Sequence, residues 1–415
     1  MKFEVLKQSH IKRNIIIGIM IVLIISAIIL NFTRAKYRTT QSIPLVNGTI
    51  NYSPGDIIIS AHFNDELLES FPTKDSGYTV GSVTCDNEAT ATFDEDAWEI
   101  TVNNLVTKGT KCDVYFEEKI SAKDTILANS IVNDGTPDFS EIATTDEGVW
   151  TAEDNLGTSY YFRGAVTDNY VKFAGFYWRI IRINGNGSIR MIYDGTTAHA
   201  NGEDNSDNYT YNGNNHYNNS EDGSYHVGYT YTTAQRPSTQ NGGSDSTIKQ
   251  LLESWYNTNI SGNGYDNYVT RNPGFCNDRD VASGYTWSAY NLVRYAAWER
   301  LYDNKTPLLK CNNSIDLYTT KVGLITADEV SMAGGGYNMD NKNYYLYSYY
   351  DYWTMTPSSS NSIGYAEVMR VTSTGFNSVG VNGNCSIRPV INLSADVTLT
   401  GSGTATDPYV VEGAE

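Results

Sequence analysis

Hydrophobic residues are distributed very unevenly along the chain. Residues 15–30 form an almost unbroken apolar run, and no charged residue occurs between Arg13 and Arg34. A charge-free segment of about 20 residues is long enough to cross a bilayer as a helix, which satisfies its own backbone hydrogen bonds. The pattern therefore predicts a transmembrane signal anchor at residues 14–33. The basic residues before it predict that residues 1–13 form a cytoplasmic basic arm.

A cleaved signal peptide is the main alternative for this segment, and a buried helix is another. A signal peptide usually has an apolar region of about 7–15 residues followed by a small-x-small cleavage site. The run here is longer, and residues 30–35 contain no such site. The favoured expectation is a protein of the cell membrane that crosses it once and carries its C-terminal bulk outside the cell.

Short alternating segments follow the apolar run and predict β-strands. We interpret residues 34–47 as a stalk, residues 48–119 as a small β-sandwich module and residues 120–149 as a linker with a possible helix at 122–131. The strand-like segments of the module are residues 49–52, 56–60, 78–80, 98–102 and 112–116.

The remaining chain predicts a larger domain over residues 150–412. Residues 176–183 and 188–193 read as a hairpin around an Asn-Gly turn. Ser246 is placed to cap a helix over residues 247–256. A less regular amphipathic segment predicts a second helix at 285–302. Thr326 and Glu329 have capping-box spacing. The predicted fold class is α+β, with a transmembrane helix, a small β-sandwich and a larger domain with long loops.

The charge of the chain narrows the classes of partner. The net charge is −18, so a nucleic-acid partner is not expected, because binding phosphates requires a basic surface. The polar residues 198–246 show no periodicity and predict a long functional loop or an insertion without regular structure. Within them, Glu203, Asp204 and Asp207 could ligate calcium weakly, with a solvated loop as the plain alternative. We predict no other cofactor and no metal site.

The five cysteines predict two disulfides in an oxidising compartment. By position we pair Cys85 with Cys112 and Cys276 with Cys311. Cys385 remains, and we interpret it as a buried thiol on a strand.

A compact polar cluster follows Cys276 in the sequence. It consists of Asn277, Asp278, Arg279 and Asp280. One interpretation is a turn anchored by the disulfide, and the other is a loop that contacts a ligand.

The aromatic run at residues 344–353 is the second candidate contact. A core strand would alternate in polarity, whereas this run carries aromatic residues on both faces. Exposed tyrosines offer rigid contact area and a hydroxyl group, which suits recognition of glycans or proteins. A packed core with some outward tyrosines is equally compatible. The candidate ligand contacts in this run are Tyr344, Tyr345, Tyr347, Tyr349 and Tyr350.

Four segments resemble a bacterial domain of unknown function that recurs in surface proteins of low-GC bacteria. They are residues 275–279 (FCNDR), 323–330 (GLITADEV), 352–357 (YWTMTP) and 387–393 (IRPVINL). That domain is distantly similar to the sulfatase-modifying-factor and C-type-lectin-like superfamily. The resemblance covers roughly residues 150–395. It implies a small twisted β core with two flanking helices and long irregular loops. No particular activity can be inferred from the resemblance.

The favoured functional hypothesis is a membrane-anchored surface protein that binds a glycan or a protein without catalysis. An enzyme related to formylglycine-generating enzymes is an alternative, and the redox state of Cys276 and Cys311 distinguishes the two. A structural envelope protein is a further alternative. We predict no catalytic residue.

Overall fold

The computed structural model describes residues 57–415 except residues 75, 96, 106, 204–208 and 238–242, and it leaves out the side chains of 212–214. The predicted basic arm, anchor and stalk lie outside the described residues. In the described part of the chain, no helix is both long and apolar enough to span a bilayer. The described residues separate into two compact units, one ending at Lys119 and the other covering Ile120–Glu415.

The first unit consists of a mixed sheet and a hairpin. The sheet has the strand order β2-β1-β6-β3, with β1 and β6 parallel and β3 and β6 antiparallel, while β4 and β5 pair only with each other among the described residues. The strands are β1 (Ile57–Phe63), β2 (Glu66–Leu67), β3 (Tyr78–Cys85), β4 (Thr90–Asp94), β5 (Glu99–Asn103) and β6 (Thr110–Glu118).

Aromatic side chains join the hairpin to the sheet. The rings of Phe93 and Trp98 lie 6.1 and 6.0 Å from the ring of Phe116, whose side chain is buried. Cys85 and Cys112 face each other across β3 and β6 and form the predicted disulfide. The second layer is therefore a hairpin and not the full sheet that a β-sandwich implies.

The second unit is a β-rich α+β fold. Its strands are β7 (Asp146–Asp154), β8 (Gly157–Gly164), β9 (Tyr170–Phe173), β10 (Phe176–Ile183), β11 (Ile189–Gly195), β12 (Tyr211–Asn215), β13 (Thr230–Tyr231), β14 (Ser244–Asp245), β15 (Phe275–Cys276), β16 (Val293–Arg294), β17 (Leu317–Tyr318), β18 (Val322–Gly323), β19 (Tyr352–Ser360), β20 (Ala366–Thr372), β21 (Gly375–Gly380), β22 (Cys385–Ile387), β23 (Val390–Leu393), β24 (Leu399–Thr400) and β25 (Tyr409–Val411).

Two larger sheets organise these strands. One has the order β18-β23-β11-β10-β9-β25-β24, with β8 paired to β10 and β7 paired to β8. The other has the order β12-β22-β19-β20-β21, with β16 paired to β19. β9 and β10 form a hairpin through Ala174 and Gly175, whose φ angles of 54° and 76° match the turn that twisted hairpins favour. β11 and β19 are buried along their whole length.

Helices are short in this unit. The α-helices are α1 (Ala122–Ala128), α2 (Thr247–Asn259), α3 (Ala296–Trp298) and α4 (Ala327–Met332). A π-helical turn, Glu299–Asp303, continues directly from α3. The predicted caps are confirmed: the Ser246 hydroxyl accepts from Lys249 N, and Thr326 and Glu329 form a capping box at α4.

The structure corrects the interpretation of residues 120–149 as a linker, because they pack as part of the second unit. Ala122 and Ile126 of α1 are fully buried. The buried guanidinium of Arg163 donates to the carbonyl oxygens of Asp138 and Glu141, at 3.3 and 3.1 Å, and to those of Ser331 and Met332, at 3.2 and 3.1 Å. Arg163 thus ties this segment to the end of α4.

Two further expectations for the second unit are corrected. The helix predicted at 285–302 is wrong over most of its length, because Val293 and Arg294 instead pair with Ser360 and Ser359 of β19. The 198–246 segment is largely packed where it is described, since it contains β12 and buries Tyr217 and Tyr229. In both cases contacts with distant strands outweigh local sequence preference.

Candidate functional site

The polar cluster after Cys276 is mostly internal. Asn277 is fully buried, and its amide group donates to Met355 O (2.7 Å) and Val227 O (3.2 Å) while accepting from Tyr229 N (2.8 Å). These bonds satisfy both ends of the side chain. Asn277 therefore joins three separate segments of the backbone, which corresponds to the structural interpretation of the cluster and not to a ligand contact.

Two of the three charged members of the cluster form ion pairs. Arg279 Nε donates to Asp316 Oδ1 at 2.6 Å, and Asp278 Oδ2 accepts from Arg300 at 3.1 Å. Burial raises the pKa of Asp278 to about 6, although Arg300 opposes the shift. Carboxylate oxygens of Asp278, Asp280 and Asp316 lie within 4.8 Å of one another. Because Arg279 and Arg300 already pair with two of these three carboxylates, we do not assign a cation to the group. Only Asp280 is appreciably accessible.

Not all five predicted tyrosines of the aromatic run are exposed to solvent. Tyr344 and Tyr345 are 0% and 3% exposed and belong to the hydrophobic core, so their prediction as ligand contacts is corrected. Tyr347 is partly buried against the same core. Tyr349 and Tyr350 are 53% and 40% exposed, with ring centroids 5.1 Å apart, and remain accessible. Residues 344–351 of the run form an irregular segment before β19, so strand alternation does not apply to the five candidate tyrosines.

The second predicted disulfide, Cys276–Cys311, is present, and Cys385 is a free, buried cysteine. Beside the disulfide is a cavity of about 40 Å³. Its walls carry the ion pairs of Arg182 and Arg190 with Glu329 (3.0 and 2.7 Å) and of Arg300 with Asp328 (2.7 Å). A cavity of this size holds a water molecule and not a substrate.

The predicted calcium cluster cannot be followed as a group. Asp204 and Asp207 lie outside the described residues. Glu203 is described, and its carboxylate accepts from Ala200 N at 3.2 Å within the same turn.

An exposed row of stacked side chains is the most distinctive surface feature of the second unit. The Arg294 guanidinium carbon lies 5.9 Å from the ring centroid of Tyr285 and 3.7 Å from that of Trp298. Trp298 in turn stacks on Tyr302, with centroids 4.9 Å apart and planes inclined by 29°. We call Tyr285, Arg294, Trp298 and Tyr302 the aromatic ladder. Its two ends are open to solvent, since Tyr285 is 39% and Tyr302 46% exposed.

Regular structure fixes three of the four members of the ladder, whereas Tyr285 lies on a loop and accepts a hydrogen bond from Arg294 Nε at 3.0 Å. Arg294 lies on β16, which pairs with β19, while Trp298 ends α3 and Tyr302 lies on the π-helical turn. That turn is tied to α4 by Arg300, which donates to both carboxylate oxygens of Asp328 at 2.7 and 2.9 Å. π-helical turns within helices are frequent at functional sites. The ladder is thus a supported platform and not a set of mobile surface rings.

Further apolar side chains are exposed on the same loop as Tyr285. Tyr290 is 52% and Leu292 43% exposed. The neighbouring β19–β20 turn contributes Ile363, 61% exposed, and Tyr365, 39% exposed. Exposed apolar side chains on two neighbouring turns are candidates for contact with a partner.

The sequence contained a signal for the ladder. Arg294, Trp298 and Tyr302 recur at intervals of four residues, which would place them on one face of a helix. In the structure, Trp298 and Tyr302 keep this spacing on α3 and the π-helical turn, whereas Arg294 lies on β16.

Further contacts hold the ladder against the rest of the second unit. Glu299 Oε2 accepts from Ser283 N at 2.9 Å and so fastens the start of the Tyr285 loop to the π-helical turn. Tyr302 also meets Tyr337 edge-to-face at 5.0 Å, which continues the aromatic contacts toward Phe376 in the core. The ladder is rigid on its inner side and open on its outer side.

No protein-family model, curated protein or solved structure matches this chain.

Proposed function

We propose that this protein binds a glycan, without catalysis, on the outside of the cell membrane, and that the aromatic ladder is its binding surface. The observation that carries the proposal is the row of exposed, stacked side chains from Tyr285 to Tyr302. The rings of Trp298 and Tyr302 are held by α3 and the π-helical turn, and Tyr285 is held by its hydrogen bond from Arg294, so little conformational entropy is lost when a ligand binds.

The chemistry of the ladder favours a sugar ligand. Sugar rings combine C–H faces, which pack on the electron-rich faces of aromatic rings, with hydroxyl groups at their edges. Tyr285 and Tyr302 each offer a ring face beside a hydroxyl, and tyrosine gives large contact area at low entropic cost. Tyr290 and Tyr365 extend the same kind of surface along the neighbouring loop and turn.

The proposed location rests on sequence and covalent structure together. Cys85–Cys112 and Cys276–Cys311 form disulfides, which persist in oxidising compartments. The apolar segment at residues 14–33 is proposed to anchor the chain in the membrane, with residues 1–13 inside the cell. Membership of the C-type-lectin-like or sulfatase-modifying-factor-like superfamily is proposed for the second unit. A β-rich core with a few helices and long irregular connections supports it.

The enzyme alternative is less well supported. It requires a cysteine pair that is available as thiols, and Cys276 and Cys311 are joined to each other. The cavity beside them is too small for a substrate.

Glycan arrays probed with the full-length chain in detergent test the proposal. We expect selective binding that Tyr302→Ala weakens by at least tenfold. Tyr349→Ala is the matched control, because Tyr349 is as exposed as Tyr302 but lies outside the ladder. Thermal unfolding of both variants checks that the fold is retained. Tyr345→Ala is unsuitable, since that side chain is in the core.

Three results would contradict the proposal. The first is an array with no glycan bound. The second is a Tyr302→Ala variant that binds like the wild type. The third is a loss of binding on Tyr349→Ala alone, which would move the site to the run at residues 344–353.

A further inference from the structure

The ladder contains a cation that is held by aromatic rings and not by carboxylates. The Arg294 guanidinium lies 3.7 Å from the Trp298 ring centroid, and its Nε donates to the Tyr285 hydroxyl at 3.0 Å. Lys305 lies 5.6 Å from the Tyr302 ring centroid. Within the described ranges, no carboxylate oxygen lies within 4.0 Å of either cation.

This arrangement differs from that of most buried arginines in the same unit, Arg179 being one that also lies over a ring, 3.9 Å from the Tyr170 centroid. Arg182, Arg279 and Arg300 are each paired with a carboxylate at 3.1 Å or less. The chain has 47 acidic and 29 basic residues, so carboxylates for pairing are abundant. The ladder nevertheless keeps Arg294 and Lys305 on ring faces, and Lys305 Nζ also donates to Leu301 O at 3.3 Å.

A stacked guanidinium is well suited to bind an anion. Ring contact restrains its plane, and its Nε is used by Tyr285. The two terminal NH₂ groups of Arg294 make no hydrogen bond to any residue that the structure describes. A planar pair of N–H donors matches the two oxygens of a carboxylate, and the charge shortens and strengthens such bonds.

We propose that the ligand of the ladder is an acidic glycan, one with uronic-acid units. Arg294 binds the carboxylate while a sugar ring stacks on an exposed tyrosine of the ladder, and Lys305 supplies a second positive charge beside Tyr302. This inference rests on the proposed function and adds the chemical class of the ligand. Because the protein as a whole is strongly acidic, recognition of an acidic glycan depends on these local cations and not on the overall field.

A uronic-acid oligosaccharide and its carboxyl-reduced neutral counterpart form a matched pair of probes. Titration calorimetry of the full-length chain at fixed salt should show at least tenfold tighter binding of the acidic form. Arg294→Gln should abolish that preference. Arg294→Lys keeps the charge without the planar fork and should give an intermediate preference. Lys342→Gln removes an exposed charge outside the ladder and should change neither.

Each other outcome is decisive. Equal binding of both oligosaccharides, or equal losses for both on Arg294→Gln, would overturn the acidic-glycan inference and leave the glycan-binding proposal standing. Binding of a sulfated oligosaccharide with no binding of the carboxylated one would also overturn it. If no oligosaccharide binds, or if only a protein does, the proposed function fails as well. Thermal unfolding of Arg294→Lys and Arg294→Gln separates loss of binding from loss of structure.

Discussion

Glu329 is the central residue of a buried charge network, and its replacement tests that network directly. Its carboxylate binds Arg182 Nε at 3.0 Å and Arg190 at 2.7 Å, and it accepts from Thr326 N at 2.9 Å. Glu329, Arg182 and Arg190 are 3%, 5% and 1% exposed. Burial alone would raise the pKa of Glu329, but Arg190 and Arg182 lower it below its ordinary value.

Glu329→Gln removes one negative charge and keeps the size of the side chain. Gln also occurs at this position of capping boxes, so the loss of stability in this variant reflects the lost charge more than a weakened start of α4. It leaves one uncompensated positive charge in the interior. Breaking a buried pair in this way costs about 3–5 kcal/mol. We expect the free energy of unfolding to fall by that amount in urea titrations followed by tryptophan fluorescence.

Thr326→Ala is the control, because it removes the cap and leaves the ion pairs intact. Its expected cost is about 1 kcal/mol. Adding Arg190→Met to Glu329→Gln removes the uncompensated charge and should recover part of the lost stability. The reasoning is refuted if Glu329→Gln lowers the free energy of unfolding no more than Thr326→Ala does. It is also refuted if the effects of Glu329→Gln and Arg190→Met on that free energy simply add in the double variant.

Three further predictions concern single residues of the second unit. Burial raises the pKa of Asp278 to about 6, so the folded state holds a proton between pH 4 and 6 that the unfolded state releases, and stability falls as pH rises through that window. Asp278→Asn should therefore be more stable than the wild type by about 1–3 kcal/mol at pH 7 and nearly equal to it at pH 4.5; a difference that does not vary with pH would contradict this. Cys385 is 1% exposed, and burial raises its pKa to about 12, so N-ethylmaleimide should modify it only after unfolding, as mass spectrometry would show. Rapid modification of the native protein would show that the thiol is accessible. At Gly375, with φ of 94°, a Cβ would lie 2.2 Å from the carbonyl oxygen of Gly336, whereas at Gly175 nothing lies within 4 Å. Gly375→Ala should thus lower the melting temperature far more than Gly175→Ala, which carries only the roughly 1 kcal/mol cost of the left-handed backbone, and equal effects would contradict the close approach.

Local sequence signals predicted those parts of the fold that local physics determines. The hairpin strand at residues 176–183, the Ser246 cap and the Thr326 capping box are all present. Each depends on side chains within a few residues of one another. The disulfides were also predicted, because four of the five cysteines fall into two pairs by their positions in the sequence.

The candidate site was predicted less well, because burial depends on contacts between distant segments. The tyrosine run at residues 344–353 has the composition of an exposed surface, yet Tyr344 and Tyr345 fill the hydrophobic core. The segment containing the ladder reads as a helix, yet β19 draws Val293 and Arg294 into a sheet. No single-sequence pattern reports which face a distant strand will cover.

The hydrogen bonds that Arg163 donates to four carbonyl oxygens determine where a fragment containing the second unit should begin. A fragment that begins at residue 150 would lack Asp138, Glu141 and Glu147, so three of the five acceptors around that buried guanidinium, including its carboxylate partner, would be gone. Leaving a buried cation short of acceptors is costly. A fragment meant to contain the whole second unit should therefore begin at Ile120, and not at residue 150, where the predicted linker ends.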